Sequence, residues 1–398
     1  MTSQIAIMNY SGIAIASDTI TSITSQSGTK TIGNTSKIWE IGSKHCVAVL
    51  HSGSTYINGI LHQMHFNEWA KTLDSPLPTL KQYVDSYLAF SSHSQALIPK
   101  ESEREFAKIC INNMFINVCG HVDKALPDWN QETNKWTSNG NDEIAISKER
   151  IEHFFGMYSE ISEFKKLSDL QAQNLLSDYK LDLNDMISEI FAEHPINDEL
   201  RELLITNAYL ALSRTDSSVR STSDLAFVGY GSSEPYGGSI KLDCRGIYGG
   251  NMQCYENDYT PLSPNVSSRI ATFGQSEAIW GFLRGYRWST LDYIVNTTTN
   301  WILENIEFPE GEYSKIRDDI SDEIYSKTRM WTQENFTDPM FNSVEGMSTF
   351  GLAELAESLV GIQSTSTYAE QGTATVGGLI EVATIDRIRG LVWFKKVN

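Results

Sequence analysis

Basic residues are scarce beside acidic ones: 31 Lys and Arg stand against 50 Asp and Glu, giving a net charge of −19. A surface of that sign repels phosphate backbones and anionic bilayers, so nucleic acid and membrane surfaces are not expected as partners. Long apolar runs are also missing. No stretch approaches the roughly eighteen apolar residues of a membrane span, and no basic n-region with an apolar h-region opens the chain. Cysteine is sparse as well: Cys46, Cys110, Cys119, Cys244 and Cys254 are scattered, odd in number and not in close ligand pairs. Such a pattern fits reduced thiols in a cytoplasmic protein and argues against a disulfide framework. The glycine-rich breaks around 229–238 and 246–250 have no following G-K-[ST], so they are not phosphate loops. What remains is an ordinary globular composition, 40% hydrophobic and 20% charged over 398 residues, long enough for a large core.

The opening MTSQIAIMNYSGIAIASD sets the pattern. Residues 4–9 and 12–17 are short apolar runs separated by Tyr10-Ser11, with Gly12 supplying the turn, and they read as a β-hairpin. Its second arm is apolar on both faces, as a buried strand would be, and ends on Asp18. A Ser/Thr/Gly-rich loop is expected over 19–35. It leads to a second hairpin, from Ser36-Lys37-Ile38 to CVAVLHSGST. Helical spacing over 56–72 and 77–97 predicts two helices broken by Pro76 and Pro78. On the first, His62, His65 and Glu68 could share a face, either as a metal site or as a partly exposed polar stripe.

Residues 103–126 and 148–212 read as helices within an insert of 100–220, joined by the polar loop LPDWNQETNKWTSNGNDE. Strand character returns at Asp224 with LAFVGYG, GGSIKLDCRG, the run through CYENDY, and SRIATFG. The helix of FGQSEAIWGFLRG follows, then an acidic, aromatic-rich insert over about 290–345. GLAELAESLVGIQ is an amphipathic helix, and TATVGGLIEVATID with GLVWFKKV is a closing hairpin.

Chemistry singles out Thr2. Met before a small residue is normally trimmed, which would leave threonine with a free α-amine and a β-hydroxyl on one residue. An α-amine has a pKa of about 7.7–8.0, so it can take the proton of that hydroxyl, and the two form a nucleophile–base pair. A threonine exposed by processing, a buried hairpin closing on Asp18, Lys37 opening the next strand in S-K-I, and a strand running into S-G-S resemble a proteasome β-subunit of the N-terminal-nucleophile hydrolase superfamily. Thr2 and Asp18 stand 16 positions apart (18 − 2), the family spacing, whereas Lys37 falls about three residues late. V-G-G-L-I-E-V-A-T-I is similar to the last hairpin of bacterial proteasome-like peptidases. The family usually carries an Asp before Ser-Gly-Gly there, and this chain has Thr373 and Val376 at those places.

The resemblance covers about 1–97, 224–289 and 347–398 and implies α/β architecture: a four-layer αββα sandwich of two mainly antiparallel sheets, one catalytic core with two inserts. It assigns attack to Thr2, a supporting ammonium to Lys37, its anchor to Asp18 and the oxyanion N–H to Gly53. A helper serine is expected at Gln275 or Ser276, and Ser276 alone can relay a proton. Gly377 and Gly378 would serve a tight approach to the nucleophile loop or simply turn the strand. The implied activity is cleavage of peptide or protein amides with no metal or organic cofactor. The implied assembly is a homo-oligomeric ring or helical stack, with an unfoldase ATPase as a possible partner. Two alternatives stand beside it: a non-catalytic proteasome-like scaffold with the inserts as docking surfaces, and a serine hydrolase on Ser52 or Ser54. The second lacks the G-x-S-x-G elbow.

Overall fold

The computed structural model describes residues 2–25, 28–91, 97–125, 129–130, 135–136, 140–164, 167–194, 196–215, 223–306, 313–371 and 376–397. The first hairpin forms as the apolar runs predict, from β1 (Ser3–Asn9) and β2 (Gly12–Asp18). Residues 19–35 are not a loop. They make a second hairpin, β3 (Ile20–Ser25) and β4 (Gly28–Asn34), in a segment rich in β-branched Ile and Thr. Next come β5 (Ile38–Glu40) and β6 (Val47–Gly53). The chain then makes a small hairpin of β7 (Tyr56–Ile57) and β8 (Ile60–Leu61) before turning helical. Asn58 and Gly59, both at positive φ (48° and 84°), form its turn. Helices α1 (His62–Ala70) and α2 (Leu80–Ser91) follow. The first is shorter at both ends than its apolar spacing suggests. The second begins at Leu80 rather than at residue 77, while residues 92–96 of its expected span lie outside the described residues.

The first insert carries α3 (Lys100–Asp123), the short strands β9 (Trp129–Asn130) and β10 (Lys135–Trp136), and α4 (Gly140–Ser159). It continues with α5 (Asp169–Tyr179), α6 (Leu183–Ile190), α7 (Asp198–Asn207) and α8 (Leu210–Ser213). Side-chain caps divide what reads as one helical stretch: Ser168 with Gln171 in a capping box, Asp182 before α6 and Asn197 before α7. The four expected strands are β11 (Ser223–Gly229), β12 (Gly238–Tyr248), β13 (Asn251–Pro261) and β14 (Ser268–Gly274). After them come α9 (Glu277–Arg284), α10 (Trp288–Asn305) and α11 (Tyr313–Thr332). A π-helical turn (Gln333–Thr337) joins α11 to α12 (Asp338–Glu345), and α13 (Thr349–Gln371), β15 (Ile380–Asp386) and β16 (Gly390–Lys395) close the chain.

Two five-stranded antiparallel sheets organise the protein. One has the order β14-β1-β2-β15-β16 and the other β13-β12-β11-β6-β5. Strand alternation explains why their inner strands are apolar on both faces. On β1 and β2, Ala6, Met8, Ile13 and Ile15 turn toward Ala48, Leu50, Ala226 and Val228 of the other sheet and make a core between the two. Ile5, Ile7, Ala14 and Ala16 turn the opposite way, against Ile279 of α9 and Leu352, Ala353, Ala356 and Leu359 of α13. Facing alanines on β2 and α13 let that helix lie close on the sheet. The outer face of the second sheet, with Val49, Leu225 and Phe227, is covered by Phe66 and Trp69 of α1 and Tyr83, Val84 and Tyr87 of α2.

The first insert has a core of its own, in which Met114, Phe115 and Val118 of α3 meet Phe154 and Phe155 of α4 and Leu200 and Leu204 of α7. It docks on the second sheet through a separate cluster that includes Phe106 and Cys110 of α3 and Tyr248 of β12. Gly246 makes this contact possible, since a Cβ there would lie 2.1 Å from the Phe106 ring.

Candidate active site

The residues that the sequence singles out come together where several strands end. Thr2, which is buried, leads into β1, while Asp18 ends β2 and Gly53 ends β6. Lys37 immediately precedes β5. Asp18, fully buried, is the hub. Its Oδ1 accepts from the Ser3 N–H at 2.9 Å and from Lys37 Nζ at 2.9 Å, and its Oδ2 accepts from the Gly377 N–H at 3.2 Å. One carboxylate oxygen thus ties the main chain beside Thr2 to the lysine ammonium. Burial pushes the Asp18 carboxyl up and the Lys37 ammonium down, each opposed by the other's charge. Glu381, also buried, adds its negative field at Lys37 and accepts from Ser36 Oγ at 2.7 Å.

The Thr2 main chain is clamped from β14. The Gln275 N–H donates to the Thr2 carbonyl at 2.7 Å, and a Cβ on Gly274 (φ +69°) would lie 2.2 Å from that same oxygen. Only glycine fits there. The same hypothetical Cβ would stand 3.7 Å from Ser52 Cβ, which brings the end of β6 beside Thr2. Gly53 follows Ser52 with φ at 86°, a backbone state that glycine adopts without strain. Ser276 sits at the N-terminus of α9, one residue past the amide that holds Thr2, and its hydroxyl makes no capping bond to the helix. The Ala278 N–H is taken instead by Gln363 Oε1 at 2.9 Å.

Gln4 is the site residue that the sequence reading missed. It is fully buried, and its Nε2 reaches Ser17 Oγ (3.1 Å), the Lys37 carbonyl (3.3 Å) and the His51 carbonyl (3.1 Å), so it positions Lys37 through the backbone. Its signal was present: Gln4 is the polar member of a face that continues with Ala6 and Met8. Gly377, expected either to serve a tight backbone approach or simply to turn the strand, donates its N–H to Asp18. Thr373 lies outside the described residues, whereas Val376 is buried.

Compared with protein-family models, curated proteins and solved structures, the chain has no match.

Beside Ser52 lies a cluster of ionisable side chains. Ser52 Oγ donates to Asp224 Oδ2 at 3.3 Å, and Asp224 pairs across the strands with Asp243. Lys241 Nζ bridges the two at 3.1 and 3.2 Å. Burial and the neighbouring Asp243 push the Asp224 carboxyl up to about 6. Ser54 Oγ donates to the Tyr56 carbonyl.

His62, His65 and Glu68 do not converge as a metal site. His62 is hydrogen-bonded to Ser223 Oγ at 2.9 Å, His65 to the Tyr87 hydroxyl at 3.2 Å, and Glu68 pairs with Lys71. Nor do the two histidines belong to an exposed stripe. Both are buried under α2 and the sheet, and burial pushes His65 down to about 4. His51, stacked on Trp39, is likewise pushed down to about 4 by burial.

Proposed function

We propose that the protein is an N-terminal-nucleophile amide hydrolase, a threonine peptidase of the proteasome-like kind, built as a four-layer αββα sandwich. The observation that carries this reading is the shared oxygen of Asp18, which holds the Ser3 N–H and Lys37 Nζ together next to Thr2. Thr2 Oγ1 attacks the scissile carbonyl while the Thr2 α-amine takes the hydroxyl proton and delivers it to the leaving amine. The resulting ester is hydrolysed by water, with the same amine first as base and then as acid. Lys37 keeps that amine neutral by charge repulsion and lowers the cost of the developing alkoxide. The Gly53 N–H stabilises the oxyanion, and Ser276 relays protons near the amine.

By the resemblance on which the reading rests, copies assemble into a ring or stack in the cytoplasm, fed with unfolded protein by an ATPase. Exposed aromatic side chains on α10 and α11, among them Tyr293, Trp301 and Trp331, support assembly. The same surface, together with Val376 where the family has a serine, favours the scaffold alternative. Replacement of the nucleophile separates the two. Thr2→Ala should reduce peptide hydrolysis by at least about a thousandfold while leaving the melting temperature close to that of the parent. Undiminished hydrolysis by this variant would overturn the enzyme reading.

A further inference from the structure

The first insert carries a cluster that the hydrolase chemistry does not use. Cys119 and Asp123 are four residues apart near the C-terminal end of α3, so they share one helix face. His194, three residues after Phe191 closes α6, folds back onto them. Its Nε2 lies 2.9 Å from Asp123 Oδ1, and its side chain is only 5% exposed. One donor atom from each of Cys119, Asp123 and His194 lies within 4.8 Å of the other two. Cys119 Sγ itself is held near the Ile190 carbonyl at 3.7 Å.

We propose that Cys119, Asp123 and His194 bind one divalent transition-metal ion, with zinc the best match. The donor set is the reason: one thiolate, one imidazole and one carboxylate are the three ligand types zinc takes, and a hard cation such as Mg²⁺ would not select sulfur. Tetrahedral zinc needs donor atoms about 3.3–3.6 Å apart, from bond lengths of about 2.0–2.3 Å. The His194–Asp123 contact therefore opens by about half an ångström, and the thiol closes in. Water fills the fourth position, and the thiol proton leaves to solvent. The local field favours a cation, because the carboxylates of Asp123 and Glu193 both act on Cys119. Bound metal staples α3 to the end of α6 across the insert's own core, a structural role separate from the Thr2 cluster.

The test uses the full chain stripped with a chelator and titrated with Co²⁺, then with Zn²⁺. One equivalent of Co²⁺ should give visible bands of tetrahedral intensity and a near-ultraviolet thiolate-to-cobalt band, both abolished by one equivalent of Zn²⁺. Zinc should also raise the melting temperature of the stripped protein. Cys119→Ser should remove the thiolate band, and His194→Gln and Asp123→Asn should each weaken binding by at least about tenfold, the loss seen even for outer-shell partners. Absence of stoichiometric binding would overturn the proposal. So would a thiolate band that survives in Cys119→Ser, since another of the five cysteines would then be the ligand.

Discussion

At the scale of single residues, the account turns on a buried ion pair whose worth is positional. Removing one partner leaves a buried charge unpaired, which costs about 3–5 kcal/mol, whereas removing both can be nearly neutral. Lys37→Met should therefore destabilise the protein by about that amount, and adding Asp18→Asn should recover part of it, as measured by urea unfolding. Both variants should lose hydrolysis, because neither keeps an ammonium beside Thr2. Full activity in the double variant would remove Lys37 from the mechanism.

A second residue-scale prediction concerns acid. His51 and His65 are held neutral in the folded state, with values of about 4 against 6.5 for a free histidine. Between those limits the unfolded chain binds protons that the folded chain cannot, so stability falls as pH drops from about 6.5 to about 4. Each histidine contributes at most about 3 kcal/mol to that loss. Denaturant midpoints across this window should have a shallower pH slope in His51→Gln and His65→Gln. An unchanged slope in both would contradict the burial argument.

At the scale of elements, the contact between β12 and α3 is a close fit that can be tested as a pair. Gly246→Ala puts a methyl 2.1 Å from the Phe106 ring and should cost about 1–3 kcal/mol through overpacking. Phe106→Leu, itself destabilising, should relieve that clash, so the double variant should be more stable than the sum of the singles predicts. Strict additivity would mean that the insert does not press on the sheet there.

Most strands were legible because their signal is local. β1, β2, β6 and β11 are apolar runs buried on both faces, and the turn at Tyr10-Ser11 is plain in the sequence. The hairpin of 20–34 is not apparent from the sequence, because its Ser, Thr and Gly content suggests a loop, whereas its β-branched Ile and Thr residues pair as strands. The Asn58-Gly59 turn was also legible and passed over, in favour of a helical period that begins only at His62. Within the candidate site, Thr2, Asp18 and Lys37 were recognisable from order and spacing. Gly274 and the Gln4 side chain act through contacts between distant strands, which no single-sequence pattern displays. The Cys119–Asp123–His194 grouping likewise spans two helices and their connections.

At the scale of the whole molecule, a net charge of −19 and several exposed aromatic residues on α10 and α11 pull in opposite directions. Like charges hold copies apart and salt screens them, while apolar contact is insensitive to that screening. Light scattering should therefore show masses above the 44.7 kDa of one chain, with larger assemblies as salt rises. Tyr293→Lys with Trp301→Lys should shift the distribution toward 44.7 kDa, and a single chain at every salt concentration would refute assembly through this surface.

The central claim is that Thr2 is the mature N-terminus and the nucleophile. It is tested most directly by mass spectrometry of the native protein treated with an electrophile that bonds both the α-amine and the hydroxyl of an N-terminal threonine. The account predicts a chain that lacks Met1 and carries one adduct, localised to Thr2. A chain that retains Met1 and takes up no reagent, or an adduct localised to Ser52 or Ser54, would contradict it.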